Sequence, residues 1–171
     1  LDLPPMLSAG IRFICAGFIM FGYAYLKRRP LPSKEQIYNQ SVVGLILLLG
    51  GNGAIVLGSQ WLSSSMAALL FSTIPLFIAI EELILPEGEK LTWTGWLGLI
   101  IGFGGVAFLV LMGQESLGIS FKGAIIILLG ALFWASGSIY SKRIATGGAM
   151  EFNLSIQMLA GGIGLLIAGF L

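Results

Sequence analysis

The chain has no histidine, one cysteine and few charges. Without histidine it lacks the commonest general base, the commonest metal ligand and the usual switch near neutral pH. Cys15 alone excludes an internal disulfide and a cysteine-built metal site. Charged residues make up 10% of the 171 and hydrophobic ones 57%, whereas soluble domains carry about a quarter charged residues. A surface this poor in charge requires lipid as its solvent. The net charge of +1 gives no footprint for nucleic acid.

What is present is a series of six apolar stretches: Met6–Leu26, Val42–Leu57, Leu62–Leu85, Trp93–Met112, Gly123–Tyr140 and Leu154–Leu171. Most approach the roughly 20 residues that cross a hydrocarbon core as helix. The second is short but extends back toward Tyr38 and forward to Trp61. In lipid the backbone must be satisfied by helices or a closed barrel. Barrel strands alternate in polarity, and Gly104 to Leu111 shows no alternation. The expected fold is therefore all-α, a polytopic transmembrane helix bundle. A signal peptide does not account for the first stretch, because its basic cluster follows the apolar run.

The connecting segments alternate in charge. Lys27, Arg28, Arg29 and Lys34 follow the first stretch, Lys90 the third, and Lys142 and Arg143 the fifth; the opposite side holds only Lys122. Seven basic residues against one place the richer side in the cytoplasm. The chain begins at Leu1 without methionine and stops at Leu171 inside an apolar run, so it is read as part of a longer protein.

Arg12-Phe13-Ile14-Cys15-Ala16-Gly17 is similar to Gln157-Met158-Leu159-Ala160-Gly161-Gly162, 145 residues later. Four stretches lie between the two copies, giving a unit of five helices. An odd number of spans forces successive units into opposite orientations, a frequent construction of secondary transporters. Extended to completion, the pattern gives roughly ten helices, one before Leu1 and about three after Leu171.

A series of segments carries a family resemblance. They are Pro4-Pro5-Met6 with Gly10-Ile11-Arg12-Phe13 and Ala16-Gly17; Gly51-Asn52-Gly53; Ala67 to Pro75-Leu76-Phe77; Gly95-Trp96-Leu97-Gly98 on to Gly105; Gly123-Ala124-Ile125-Ile126 through Trp134-Ala135-Ser136-Gly137-Ser138; and Met158 to Gly162. In order and spacing the chain resembles the EamA family of the drug/metabolite transporter superfamily. The resemblance implies part of a ten-helix inverted-repeat transporter fold with both termini cytoplasmic. Residues 1–112 would form a first repeat lacking its first helix, and 123–171 the start of a second. It also implies a polar or acidic residue near Gln157; here an uncharged amide stands there.

The candidate substrate-binding residues are Arg12, Asn52, Gln60, Trp134, Ser138 and Gln157. Arg12 is the only basic residue inside a span, about 9 Å along the helix from Met6. It either faces a wet cavity or snorkels to the headgroups. Asn52, between Gly51 and Gly53, marks a place where a helix could break and expose backbone; a tight interhelical hydrogen bond is the other reading. Trp134 and Ser138 are one helical turn apart, with Ser141 extending that face, and either line a cavity or pack between helices. Gln60 and Gln157 are polar residues of the same kind, or ordinary interfacial ones. Pro75 removes a hydrogen bond and crowds the carbonyl of Phe71, so a kink is expected there, static or acting as a hinge; Ser72 and Thr73 can satisfy the freed groups. Glu81 and Glu82 read as a helix-end pair facing water or as coupling carboxylates. The match of Gly102 to Ala107 to a dinucleotide fingerprint is set aside, since no strand precedes it.

The functional expectation is secondary transport of small organic solutes or metabolites by alternating access, with efflux one direction open. A non-transporting membrane scaffold and an intramembrane enzyme are the alternatives; no catalytic constellation supports the enzyme. No cofactor or metal is expected. The expected partners are a small-molecule solute and the lipid bilayer, with a homodimer left open and no nucleic acid. The expected location is the inner (plasma) membrane.

Overall fold

The computed structural model describes residues 4–86, 88, 91–117, 120–144 and 148–170, and the side chains of 109–117 lie outside that description. The elements are α1 (Pro5–Leu26), α2 (Lys34–Gly44), a π-helical segment (Leu45–Asn52), α3 (Gly53–Gly58), α4 (Ser64–Phe71), α5 (Ile74–Ile84), α6 (Trp93–Leu117), α7 (Phe121–Arg143) and α8 (Met150–Phe170). No strand occurs among the described residues.

Among the described residues five helical spans are long and apolar enough to cross a membrane: Pro5–Leu26, Lys34–Gly58, Ser64–Ile84, Phe121–Arg143 and Met150–Phe170. The stretch expected at Trp93–Met112 falls in α6, whose described residues Trp93–Phe108 form a further apolar helix. The second span begins at Lys34, well before Val42. A capping box fixes that start: Ser33 Oγ accepts from the Gln36 amide at 3.2 Å and Gln36 Oε1 accepts from the Ser33 amide at 2.8 Å. Lys122, expected in a loop, lies in the first turn of α7 with its ammonium 4.5 Å from the centre of the Trp61 ring. Lys90 lies outside the described residues.

Two compact units are present: Leu1–Gly53 with Gly137–Leu171, and Ala54–Ser136. In the first, α8 is gripped by α1 and by the α2–π rod through glycines. A Cβ on Gly10 would lie 2.9 Å from the Gly162 carbonyl, and one on Gly17 2.8 Å from Leu159. A Cβ on Gly162 would lie 2.8 Å from Ile14, and one on Gly169 2.7 Å from Leu7. Residue numbers rise on α1 as they fall on α8, so the two run antiparallel. Against the other side of α8, Gly44 meets the Gln157 backbone, Leu48 meets Gly161, and Leu45 and Leu49 meet Gly164; that pair runs parallel. Lipid tails give helices no hydrophobic reason to associate, so close backbone approach through small residues supplies the packing.

In the second unit large side chains do this work. Leu62, Ala67, Leu70, Ala124 and Ile127 are buried together, with Ile55, Met66, Phe71, Val106 and Leu128 against them. Phe77 meets Phe103 edge-on at 5.6 Å, joining α5 to α6.

Candidate functional site

Of the two readings of Asn52, a helix break is not what forms. Residues Leu45–Asn52 instead form a π-helix that continues into α3. Gly50 and Gly51 carry no Cβ to oppose the wider turn, and the leucines between them and Gly44 fill the glycine notches of α8. Such segments are rare and concentrate at functional sites. Asn52, the last residue of the π segment, is half-buried.

One helical turn before that segment lies a polar residue outside the candidate set drawn from the sequence. Gln40 is 1% exposed and its Oε1 accepts from Gln157 Nε2 at 2.5 Å, joining α2 to α8. Gln40 is six residues past Lys34 and Gln157 seven past Met150, so the pair sits about 9–10 Å into the rod. Asn153 is one turn before Gln157 on α8, and its Oδ1 is buried with no partner among the described residues; so is Ser155 Oγ. An unmatched buried acceptor costs about 1–3 kcal/mol. These amides and hydroxyls neither titrate nor hold charge, so they suit the hydrogen-bonding groups of a neutral molecule.

Arg12 is exposed on α1, without an ion-pair partner among the described residues. It shares a stripe with Ile11, Cys15, Phe18 and Ile19, on the side of α1 away from the glycine seam. Ser138 is half-buried on α7. Arg12, Asn52, Ser138 and Gln157 thus all belong to the first unit. Gln157 is tied into that unit through its bond to Gln40.

Gln60, Trp134 and Pro75 belong to the second unit. The span Ser64–Ile84 is interrupted by a turn at Ser72–Thr73, where the kink is expected, and Pro75 sits in the first turn of α5. Pro75 has no N–H to offer the Phe71 carbonyl. Ser72 Oγ donates to the Leu69 carbonyl at 2.6 Å and Thr73 Oγ1 to the Leu70 carbonyl at 2.7 Å, as expected of hydroxyls beside a break. An open groove of about 770 Å³ lies at this break, lined by Ile55, Ser59, Ala67, Phe71, Ser72 and Pro75 among others. Trp134 stands behind it, edge-on to Phe71 at 5.7 Å. Gln60 is exposed in the turn after α3 and does not line the groove. Glu81 is half-buried, and its Oε1 accepts from Ser136 Oγ at 2.6 Å, so it is more than a solvated helix end. Among the described residues no three His, Cys, Asp or Glu side chains are grouped to hold a metal ion.

A model of the EamA-like transporter family matches residues 1–111. The chain belongs to that family. It is 35% identical over 170 residues to an Escherichia coli K12 protein named "Uncharacterized inner membrane transporter YedA", covering 98% of this chain and 54% of that one. Two Bacillus subtilis proteins named as uncharacterized transporters are also similar: YoaV, 29% identical over 145 residues, and YvbV, 28% over 167. They are covered to 49% and 54% of their lengths, and this chain to 82% and 98%. The chain spans about half the length of the curated relatives it matches. No solved structure matches it. This EamA-like chain is thus a multi-span homologue of an inner membrane transporter. Its Gln40 was legible in principle: starting the second span at Ser33, the residue with a capping signature, puts a glutamine inside lipid. Its partner Gln157 is a candidate from the sequence, but no sequence signal pairs the two.

Proposed function

We propose that this chain is part of a secondary transporter that carries small organic solutes across the inner membrane by alternating access. The observation that carries the reading is the close antiparallel packing of α1 on α8, whose sequences echo one another at a 145-residue offset. Copies of one helix in opposite orientation are what inverted repeats supply. On this reading residues 1–112 form a first repeat lacking its first helix and 123–171 begin a second, within a ten-helix whole. The names of the relatives support transport over catalysis.

In the first unit Arg12, Asn52, Ser138 and Gln157 are the proposed solute contacts, and in the second Gln60 and Trp134, with Pro75 as hinge. The buried amides favour a solute with neutral hydrogen-bonding groups. A homodimer is the first assembly state to test, by light scattering of the purified protein. The functional test uses the full-length protein in vesicles against a panel of amino acids, metabolites and toxic cations. Flux of at least one, reduced severalfold by Arg12→Ala or Gln157→Leu when normalised to the amount of folded protein, is the expected result. Absence of flux across the panel, with a membrane phenotype that survives both substitutions, would leave the scaffold reading in its place.

A further inference from the structure

At the basic end of α1 the chain closes the helix with two backbone bonds. The Arg29 amide donates to the Ala24 carbonyl at 3.1 Å and the Arg28 amide to the Tyr25 carbonyl at 3.0 Å. This closure requires a left-handed residue, and glycine is the usual one. Here it is Arg28, at φ +51°, the only non-glycine residue with positive φ among those described. A Cβ in that conformation is strained, so for the fold alone glycine would serve better.

The neighbouring charges are already engaged. Arg29 Nη2 lies 2.8 Å from Glu151 Oε1, and the Lys27 ammonium lies 5.9 Å from the centre of the Tyr23 ring. Arg28 is exposed, with no ion-pair partner among the described residues. It lines an open pocket of about 580 Å³ with Tyr25, Leu26, Arg29 and Leu31. Tyr25 is 67% exposed, Leu26 83% and Leu31 71%. Apolar and aromatic groups this bare, at the end of a span, belong beside acyl chains and glycerol esters.

We propose that this pocket binds an anionic lipid, with the Arg28 guanidinium on the headgroup phosphate and Tyr25, Leu26 and Leu31 against the upper acyl chains. A guanidinium offers a planar pair of donors to a phosphate. The apolar rim selects a lipid over a soluble anion. A general bias of positive charge toward the cytoplasm counts Lys and Arg alike and is indifferent to backbone conformation. It gives no reason for an arginine at a position where the backbone favours glycine.

The test uses the full-length protein in nanodiscs of phosphatidylcholine, with and without phosphatidylglycerol. Wild type is expected to melt several degrees higher with phosphatidylglycerol. Arg28→Gly should melt above wild type in pure phosphatidylcholine, because strain is relieved, and lose most of the phosphatidylglycerol rise. Lys34→Gln, which removes a charge at the same end, should keep that rise. Equal rises in wild type and Arg28→Gly would overturn the proposal. So would an equal loss in Lys34→Gln, which would mean a diffuse charge effect. Melting of Arg28→Gly below wild type in phosphatidylcholine would mean that Arg28 pairs with a carboxylate of the protein, again overturning it. If glycerol 3-phosphate added to phosphatidylcholine discs reproduces the rise, the site is one for a soluble anion and the lipid assignment fails.

Discussion

The two units meet the same problem, helix packing in lipid, with different emphasis. In the first, glycines bring α8 close to its neighbours: Gly10, Gly44, Gly161 and Gly162 approach backbone atoms, and Gly17 and Gly169 approach leucine side chains. In the second, Leu62, Leu70, Ile127 and the aromatic pairs fill space with side chains, and a proline breaks a span. The first is thus a close-packed seam with an amide pair joining α2 to α8. The second has an open groove at a helix break.

The sharpest way to break this contrast is at Gly44. Leucine there would drive its Cβ into the Gln157 backbone, and a loss of at least about 3 kcal/mol is expected, read as collapsed yield and melting temperature in detergent. The contrasting site is Gly98 in α6, where nothing lies within 4 Å and Gly98→Ala meets no neighbour. That variant should gain up to about 1 kcal/mol from helix propensity. If both variants behave alike, the difference between the units is not one of packing.

Gln157→Leu comes next. It strands the buried Gln40 amide at a cost of about 1–3 kcal/mol. The double variant Gln40→Leu with Gln157→Leu should recover most of that. The coupling in a double-mutant cycle should lie near 0.6–2 kcal/mol, the range for hydrogen bonds between helices in lipid. No coupling would mean that the pair is not formed.

Pro75→Ala probes the other unit. It restores a donor for the Phe71 carbonyl and should heal the break, with stability changed by less than about 1 kcal/mol since Ser72 and Thr73 already satisfy their carbonyls. A cysteine placed at Ser72 should label more slowly in this background as the groove closes, and flux in the full-length protein should fall severalfold. The smallest effect is expected from Glu151→Gln, which removes the exposed pair with Arg29. Pairs of this kind contribute little and are screened by salt, so no shift in melting should be seen at physiological ionic strength.

Much of the fold was legible in the sequence because lipid imposes a simple condition on long segments. Length and apolarity mark six stretches, five of which are full-length spans among the described residues, and a missing N–H marks Pro75 beside the turn at Ser72–Thr73. Less of the site was legible. The glycines around Asn52 suggested a broken helix, but glycines that permit a break equally permit a π turn, and Leu45, Leu48 and Leu49 seated against Gly161 and Gly164 select the turn. Gln40 is hidden from hydropathy, which starts the second span at Val42, whereas the Ser33 capping box starts it a turn and more before Gln40.

The sequence by itself determined that these residues live in lipid as helices, since backbone amides there have no partner but their own segment. It also determined the small residues and the 145-residue echo between α1 and α8. Only the tertiary structure decided which glycine faces which helix, that Gln157 finds Gln40 across 117 positions of chain, and that Arg28 stands in a left-handed turn. Those depend on distances between remote segments, and no local rule of periodicity or composition contains them.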